Sequence, residues 1–284
     1  MKIAVAGSSG LIGRHLCDHL KKLGHEIIPI THKDDRLILN EAHEDAEAVI
    51  NLSGINIMQR WTFEFKEHAK NSRVGTAKQI NQFYDLQRKK PKVFLSASAI
   101  GYYGDRPKET LIETSVKGEG FLSDLVDAWE KATLDSPIHR VVCFRLGMVL
   151  ALDGGALPPL VKMTKLWLGA IMGNPDKMTS WVHIDDVVKA FSNALEQSSF
   201  SGVYNLVSEQ SVTQKAFMDR LAQELKKKVY FKLPALIVKW IFGEASKILL
   251  DDAKVYPKKL KQSGFDFRYP DLDSALCSLV KQVP

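Results

Sequence analysis

Short apolar runs alternate with amphipathic stretches along most of the chain. "KIAVA" at residues 2–6 is apolar after its first position, as in a strand buried on both faces. "LIGRHLCDHLKKLG" follows, with Leu11, Leu16, Leu20 and Leu23 at helical spacing and Gly24 placed as a C-cap. The pattern then predicts strands in "EIIPIT", "RLILN" and "AVINLSG". Pro29 suits a strand edge, or a place where a ladder bond is missing. A long helix is predicted from about residue 63 to 87, a strand in "KVFLSAS", a helix around 120–132 and a strand in "RVVCFRLG". A helix over 185–195 and a strand in "GVYNLVS" complete the series. Strands alternating with helices predict an α/β fold: a doubly wound parallel sheet with helices on both faces. After about Ser208 the pattern becomes mainly helical, so the chain divides into residues 1–208 and a smaller C-terminal domain, 209–284.

Composition narrows the class. With 284 residues and 45% hydrophobic side chains, the chain can bury a substantial core. The formal charge of +6 is modest, and the basic runs at 88–90 and 226–228 read as a solvated loop and a helix end. No nucleic-acid partner is expected. Cys17, Cys143 and Cys277 lie far apart and show no metal spacing, which fits packed, reduced thiols in a cytoplasmic protein with no metal site. The first apolar run is too short for a signal-peptide core, and none approaches the ~18 residues of a membrane span. No membrane partner is expected, and the expected assembly is a monomer or a homodimer.

Candidate chemistry begins at "AGSSGLIG". Gly7, Gly10 and Gly13 sit between the first strand and the first helix, spaced G-x-x-G-x-x-G. Such a turn lets the backbone approach a pyrophosphate, and the helix start supplies free N–H groups with a partial positive charge. Gly7 permits the turn, Gly10 clears room for phosphate, and Gly13 lets the helix sit close to the sheet. The second strand ends in "ITHKDDR". His32, Lys33 and Arg36 there suit the 2′-phosphate of NADP(H) better than the ribose of NAD(H), although Asp34 or Asp35 could bind a ribose hydroxyl.

With "AGSSGLIGRHL", "VINLSGINIMQRWT", "NSRVGT", "SASAIGYYG", "RLGMVLALDGGAL", "SWVHIDDV" and "SGFDFRYPDLDSAL", the sequence resembles the extended short-chain dehydrogenases/reductases. Within them it is similar to the YfcH-type NAD-dependent epimerase/dehydratase family over nearly the whole chain. The resemblance implies a Rossmann-like dinucleotide-binding domain and a small C-terminal domain covering a substrate cleft. It implies that Gly7, Ser9, Gly10, Leu11, Ile12 and Gly13 surround the pyrophosphate. Leu52, Ser53 and Gly54 would lie along the cofactor. Ser96 and Ser98 would follow the next strand, with Ser98 as the catalytic serine. Arg145, Leu146 and Gly147 would end a later strand near the nicotinamide.

The superfamily's chemistry uses Tyr-x-x-x-Lys on a helix, where one turn sets phenol and ammonium on the same face. Here Glu130 resembles the glutamate that follows that pair, and counting back puts Val126 at the lysine position and Leu122 at the tyrosine position. Tyr102 or Tyr103 could supply the acid from the loop after Ser98, or the two could pack as an aromatic pair beneath it. Asn56, Arg60 and Trp61 fall on the expected substrate side, where Arg60 could bind an anionic group or form a surface ion pair. Arg73 is placed to hold the long helix against this loop. Trp181 and His183 could touch the cleft, while Asp185 and Asp186 read as helix-capping carboxylates. His15 and His19 are spaced i,i+4 but lack a third ligand and read as helix surface. The expected function is an NADP(H)-binding oxidoreductase or epimerase acting on a small molecule. The alternative is an NADP(H)-binding sensor or interaction module with little turnover.

Overall fold

The structure, a computed structural model, describes residues 1–33, 36–229 and 231–280. Seven strands form one sheet in the order Gly202–Leu206, Val141–Leu146, Val93–Ala99, Ala48–Asn51, Lys2–Ala6, Glu26–Lys33, Arg36–Ile38. All neighbours run parallel except the last pair, an antiparallel hairpin. The apolar runs are continuous because both faces are covered. Ile3 and Val5 enter one core with Leu16 and Leu20 of the helix Leu11–Lys22 and with Val187 and Phe191 of the helix Ile184–Glu196. Ala4 and Ala6 enter another with Ile80 and Tyr84 of the helix Thr76–Asp85. Pro29 pairs with Val5 on the inner side, while the hairpin partner reaches only Thr31, so the proline's outer side has no ladder to break.

Lys2–Ala6 lies between Glu26–Lys33 and Ala48–Asn51. Chain order therefore reverses direction across it, and an open parallel sheet binds ligands at the carboxyl end of such a switch point. The glycine turn occupies that end.

The long helix expected over 63–87 is present but not uniform. An α-helix, Phe63–Lys70, passes through a π-helical turn, Asn71–Gly75, into Thr76–Asp85. The C-terminal region is mainly helical, with Gln214–Glu224, Ala235–Phe242 and Leu272–Val280 as its longer helices. Its core joins Phe217, Leu221, Leu272 and Leu276 to Leu150, Leu157 and Trp181, which lie between the last two sheet strands in the chain.

Candidate active site

The first turn is shaped by backbone contacts. Gly7 has φ +80°, and a Cβ on it would stand 2.7–2.9 Å from backbone atoms of Leu52 and Ser53. A Cβ on Gly13 would stand 2.1 Å from the Gly7 carbonyl oxygen. Gly10 is less confined, at 3.3 Å from the same atom. The Gly10 N–H donates to Gly7 O at 3.1 Å, closing the turn. The helix Leu11–Lys22 then starts with no side-chain cap and no acid in its first turn. Its first N–H groups, those of Leu11, Ile12 and Gly13, have no intrahelical acceptor. Arg14 donates to Ser9 O at 3.0 Å and meets Asp153 at 3.0 Å, and His15 meets the same carboxylate at 3.0 Å. His15 is therefore tied to the segment around 153–155, whose glycines abut the Leu11 side chain.

The neighbouring strand ends supply more polar groups. Asn51 Oδ1 accepts the Ser53 N–H at 3.0 Å, which leaves Asn51 Nδ2 and Ser53 Oγ buried without partners among the described residues. Unsatisfied buried donors are costly, so orphaned ones beside the glycine turn mark a place where a polar ligand fits. Leu52 is half-buried against the core, and Gly54 is exposed above the Arg73 guanidinium, which a Cβ would meet at 2.9 Å. Arg73 donates to Ile55 O at 2.9 Å and Ala69 O at 3.3 Å, and burial pushes its pKa down to about 10. It braces the loop after the fourth strand against the π-helical turn. His32, Lys33 and Arg36 are exposed at the hairpin end, with Lys33 opposite Arg36 and His32 at 3.4 Å from Thr76 Oγ1. Asp34 and Asp35 lie outside the described residues. The backbone cradle, the open helix start and the orphaned donors together fit a dinucleotide.

The opposite side of the site holds a buried charge network. Arg145 and Glu130, 3% and 5% exposed, form a two-pronged pair at 2.8 and 2.7 Å. Ser98 Oγ donates to Glu130 at 2.5 Å. Arg145 Nη1 donates to the Tyr103 hydroxyl at 2.9 Å, which also lies 2.7 Å from Asn205 Oδ1 and 3.0 Å from Ile112 O. Burial is the largest single influence and works against the charged guanidinium, but hydrogen bonding and charge attraction to Glu130, with the Tyr103 hydroxyl, together outweigh it and hold Arg145 protonated above its ordinary range. Burial also raises the Tyr103 phenol, against the pull of Arg145. Tyr102 is different: it is half-buried, and its ring covers the Arg145 guanidinium at 3.5 Å from the centroid. The Tyr102 and Tyr103 rings meet edge to face at 5.4 Å.

The helix Phe121–Leu134 carries Glu130 into this network. A Cβ on Gly101 would stand 2.8 Å from the Leu122 side chain, so Leu122 packs directly on the turn that holds the tyrosines. Val126 is buried one helical turn on. Ser96 is fully buried and donates to the Ala97 carbonyl at 2.9 Å. Leu146 packs in the core, and Gly147 is needed because Ser180 O would stand 2.7 Å from a Cβ there.

On the expected substrate side, Asn56 and Arg60 are exposed, and Trp61 is buried, donating to Ile57 O at 3.0 Å and packing on Phe121. Lys66 of the next helix pairs with Glu244 at 2.5 Å, which draws the C-terminal region toward this loop. Trp181 and His183, which the sequence read as able to touch the cleft, are both buried. Trp181 is fully buried in the second core. The His183 ring accepts the Asp185 N–H at 3.1 Å and lies 3.2 Å from Ser278 Oγ, so it caps a helix. Glu130 and Arg145 were each singled out in the sequence, but their pairing, like the Asp153 clasp, had no sequence signal, because the partners lie on different elements. A surface pocket lined by Glu47, Lys92 and Arg140 opens at the amino ends of the strands, remote from this site.

The fold and the cradle define a dinucleotide-binding protein of the Rossmann class. Residues 3–120 match the NAD dependent epimerase/dehydratase family, and residues 233–279 match a domain of unknown function, DUF1731. An epimerase family protein of Staphylococcus aureus is 31% identical over 297 residues, 98% of each chain. The epimerase family protein YfhF of Bacillus subtilis is 30% identical over 298 residues, 99% of this chain and 98% of its own. This chain belongs to the NAD(P)-dependent epimerase/dehydratase family, among the extended short-chain dehydrogenases/reductases. The crystal structure of human epimerase family protein SDR39U1 with NADPH superposes with a TM-score of 0.92 at 27% identity, both chains covered in full. A nucleoside-diphosphate sugar epimerase from Corynebacterium glutamicum gives 0.80 at 26% identity, covering 99% of this chain and 58% of its own.

Proposed function

We propose that this protein is an NADP(H)-dependent oxidoreductase or epimerase of the YfcH type acting on a small molecule, with Tyr102 as its proton donor. The observation that carries the reading is the contrast among the three candidate hydroxyls. Ser98 and Tyr103 are 3% and 0% exposed and are engaged inside the network, whereas Tyr102 is half-buried over the Arg145 guanidinium. When bound, the nicotinamide supplies or accepts hydride. The N–H groups of Leu11, Ile12 and Gly13 hold the pyrophosphate, and Asn51 and Ser53 offer donors beside it. His32, Lys33 and Arg36 take the 2′-phosphate, in line with the NADPH named with the human relative. Glu130 fixes Arg145, Arg145 fixes the Tyr102 ring, and the Tyr102 hydroxyl gives or takes the substrate proton. Ser98 and Tyr103 position this apparatus from beneath.

Calorimetry with NADPH and NADH, followed by the loss of NADPH absorbance on adding metabolite fractions, tests the reading. Tyr102→Phe should lower turnover by about 10²–10⁴-fold and leave NADPH affinity unchanged. Full turnover in that variant refutes the role of Tyr102. A second reading is an NADP(H)-binding sensor or interaction module. It is favoured by Leu122 and Val126, and by the lack of any Tyr-x-x-x-Lys in the 284 residues. Tight NADPH binding without turnover on any fraction would select it.

A further inference from the structure

An apolar, basic surface lies on the C-terminal side of the molecule, and its helix Ala235–Phe242 leads into Gly243, which stands against Arg60 on the expected substrate side. The helix Leu157–Lys165 ends at Trp167 with φ +62°, a left-handed position that favours glycine. The chain instead holds a tryptophan there, 46% exposed, between Leu166 and Leu168, which are at least half exposed. The Lys227 ammonium stands 4.4 Å from the Trp167 ring centroid. A two-strand ribbon pairs Phe231, also exposed, with Ala170. The ribbon leads into Ala235–Phe242, where Leu236 and Trp240 are 79% and 80% exposed and only Val238 is buried. Gly173, just past the ribbon, abuts Ala235, so the two groups of exposed apolar side chains flank the two ends of one short ribbon.

Charge identifies the occupant. Residues 156–172 contain Lys162 and Lys165 and no acid. Residues 225–247 contain Lys226, Lys227, Lys228, Lys232, Lys239 and Lys247 against Glu244, which is paired with Lys66. A second copy docked about a two-fold axis would set these lysines against each other. A nucleic-acid backbone would leave Leu236 and Ile241 without partners. An anionic bilayer answers both features, because tryptophans and aliphatic side chains enter the headgroup boundary while lysines meet the charge.

We propose that the exposed apolar side chains flanking this ribbon, with the lysines among them, dock on an anionic lipid surface. The contact is peripheral: among the described residues, no helix is long and apolar enough to cross a membrane. This departs from the expectation of no membrane partner drawn from the sequence, which considered spanning segments and leader peptides.

Flotation of the full chain with phosphatidylcholine vesicles, with and without about one third phosphatidylserine, tests the proposal. The protein should float with the anionic vesicles only, with a blue shift of tryptophan emission. High salt should weaken the association. A Leu236→Ser, Trp240→Ser variant should bind roughly tenfold or more weakly, from the lost apolar burial. Each of Lys226→Ala, Lys227→Ala and Lys228→Ala should cost about fivefold. Leu236, Trp240, Lys226 and Lys228 are exposed, and variants there should melt like the parent chain. No flotation with anionic vesicles overturns the proposal. So does tighter binding to duplex DNA that depends on the same lysines, or a dimer that Trp240→Ser dissociates.

Discussion

The helices Leu11–Lys22 and Ile184–Glu196 pack on each other beside the sheet, yet their first turns are built in opposite ways. The first has glycine at its N-cap, no capping side chain and no acid in its first turn. The second begins beneath the His183 ring, which accepts the Asp185 N–H, and carries Asp185 and Asp186. Asp186 is itself used, accepting the backbone N–H groups of Arg268 and Tyr269 at 2.7 and 3.1 Å. One helix start is satisfied by its own chain, and the other leaves its positive end for a ligand. An N–H-rich helix end is common. What distinguishes a site is that the chain withholds the groups that would satisfy it.

The largest effect should come from closing the open turn. Gly13→Val puts a Cβ where the Gly7 carbonyl stands, so it should abolish dinucleotide binding and destabilise the fold by on the order of 4 kcal/mol. Thermal melts with and without NADPH check both. The parent chain should gain about 2.7 kcal/mol at a hundredfold excess over Kd, and the variant nothing.

Next, Glu130→Ala asks whether the far side of the site depends on charge as the glycine turn depends on shape. It leaves the buried Arg145 guanidinium without its carboxylate, and denaturant unfolding should show a loss of about 3–5 kcal/mol.

The closed helix start should show itself in acid. Burial lowers the His183 pKa to about 4 in the folded chain, from an ordinary 6.5. The unfolded chain therefore takes up the proton first as pH falls. The contribution is fully present above about 6.5 and is lost as pH falls toward about 4, up to roughly 3 kcal/mol. His183→Asn keeps a capping side chain and removes the titration. Its melting temperature should fall less than the parent's over that window.

The smallest effect is expected at the solvent-facing rim of the cradle. Lys33→Ala or Arg36→Ala alone should weaken NADPH by about ten- to a hundredfold, and NADH hardly at all, because each charge-assisted bond to phosphate contributes roughly 1.5–3 kcal/mol. Calorimetry with both dinucleotides reads the difference.

The sheet and the glycine turn were legible in the sequence because their signals are local. Continuous apolar runs mark doubly covered strands, and glycines mark places where backbone crosses backbone. Pro29 even indicated where the ladder stops. The rest of the site is made across the sheet. Glu130 and Arg145 lie on different elements, and nothing in either neighbourhood announces the partner. Asp153 looks like an ordinary loop residue until the fold brings it to Arg14 and His15. Trp181 and His183 are ambiguous in the sequence, because an aromatic and an imidazole beside two carboxylates resemble a chemical cluster. The same residue types also serve a packed core and a helix cap, and only burial distinguishes the uses. Leu122 was informative through what it is not.

The π-helical turn at Asn71–Gly75 carries a consequence for the phase of the long helix. A π turn admits one residue more than an α turn would, so all that follows is rotated by about 100° relative to an uninterrupted helix. Here the rotation lets Ala69 face inward before the turn and Ala77 and Ile80 face inward after it, while Arg73 reaches Ile55 from within it. Deleting a single residue inside 71–75 would restore a regular helix and turn one of those two halves away from the core. The chain has absorbed an extra residue where a helix has least room for one, and in exchange the arginine reaches the loop.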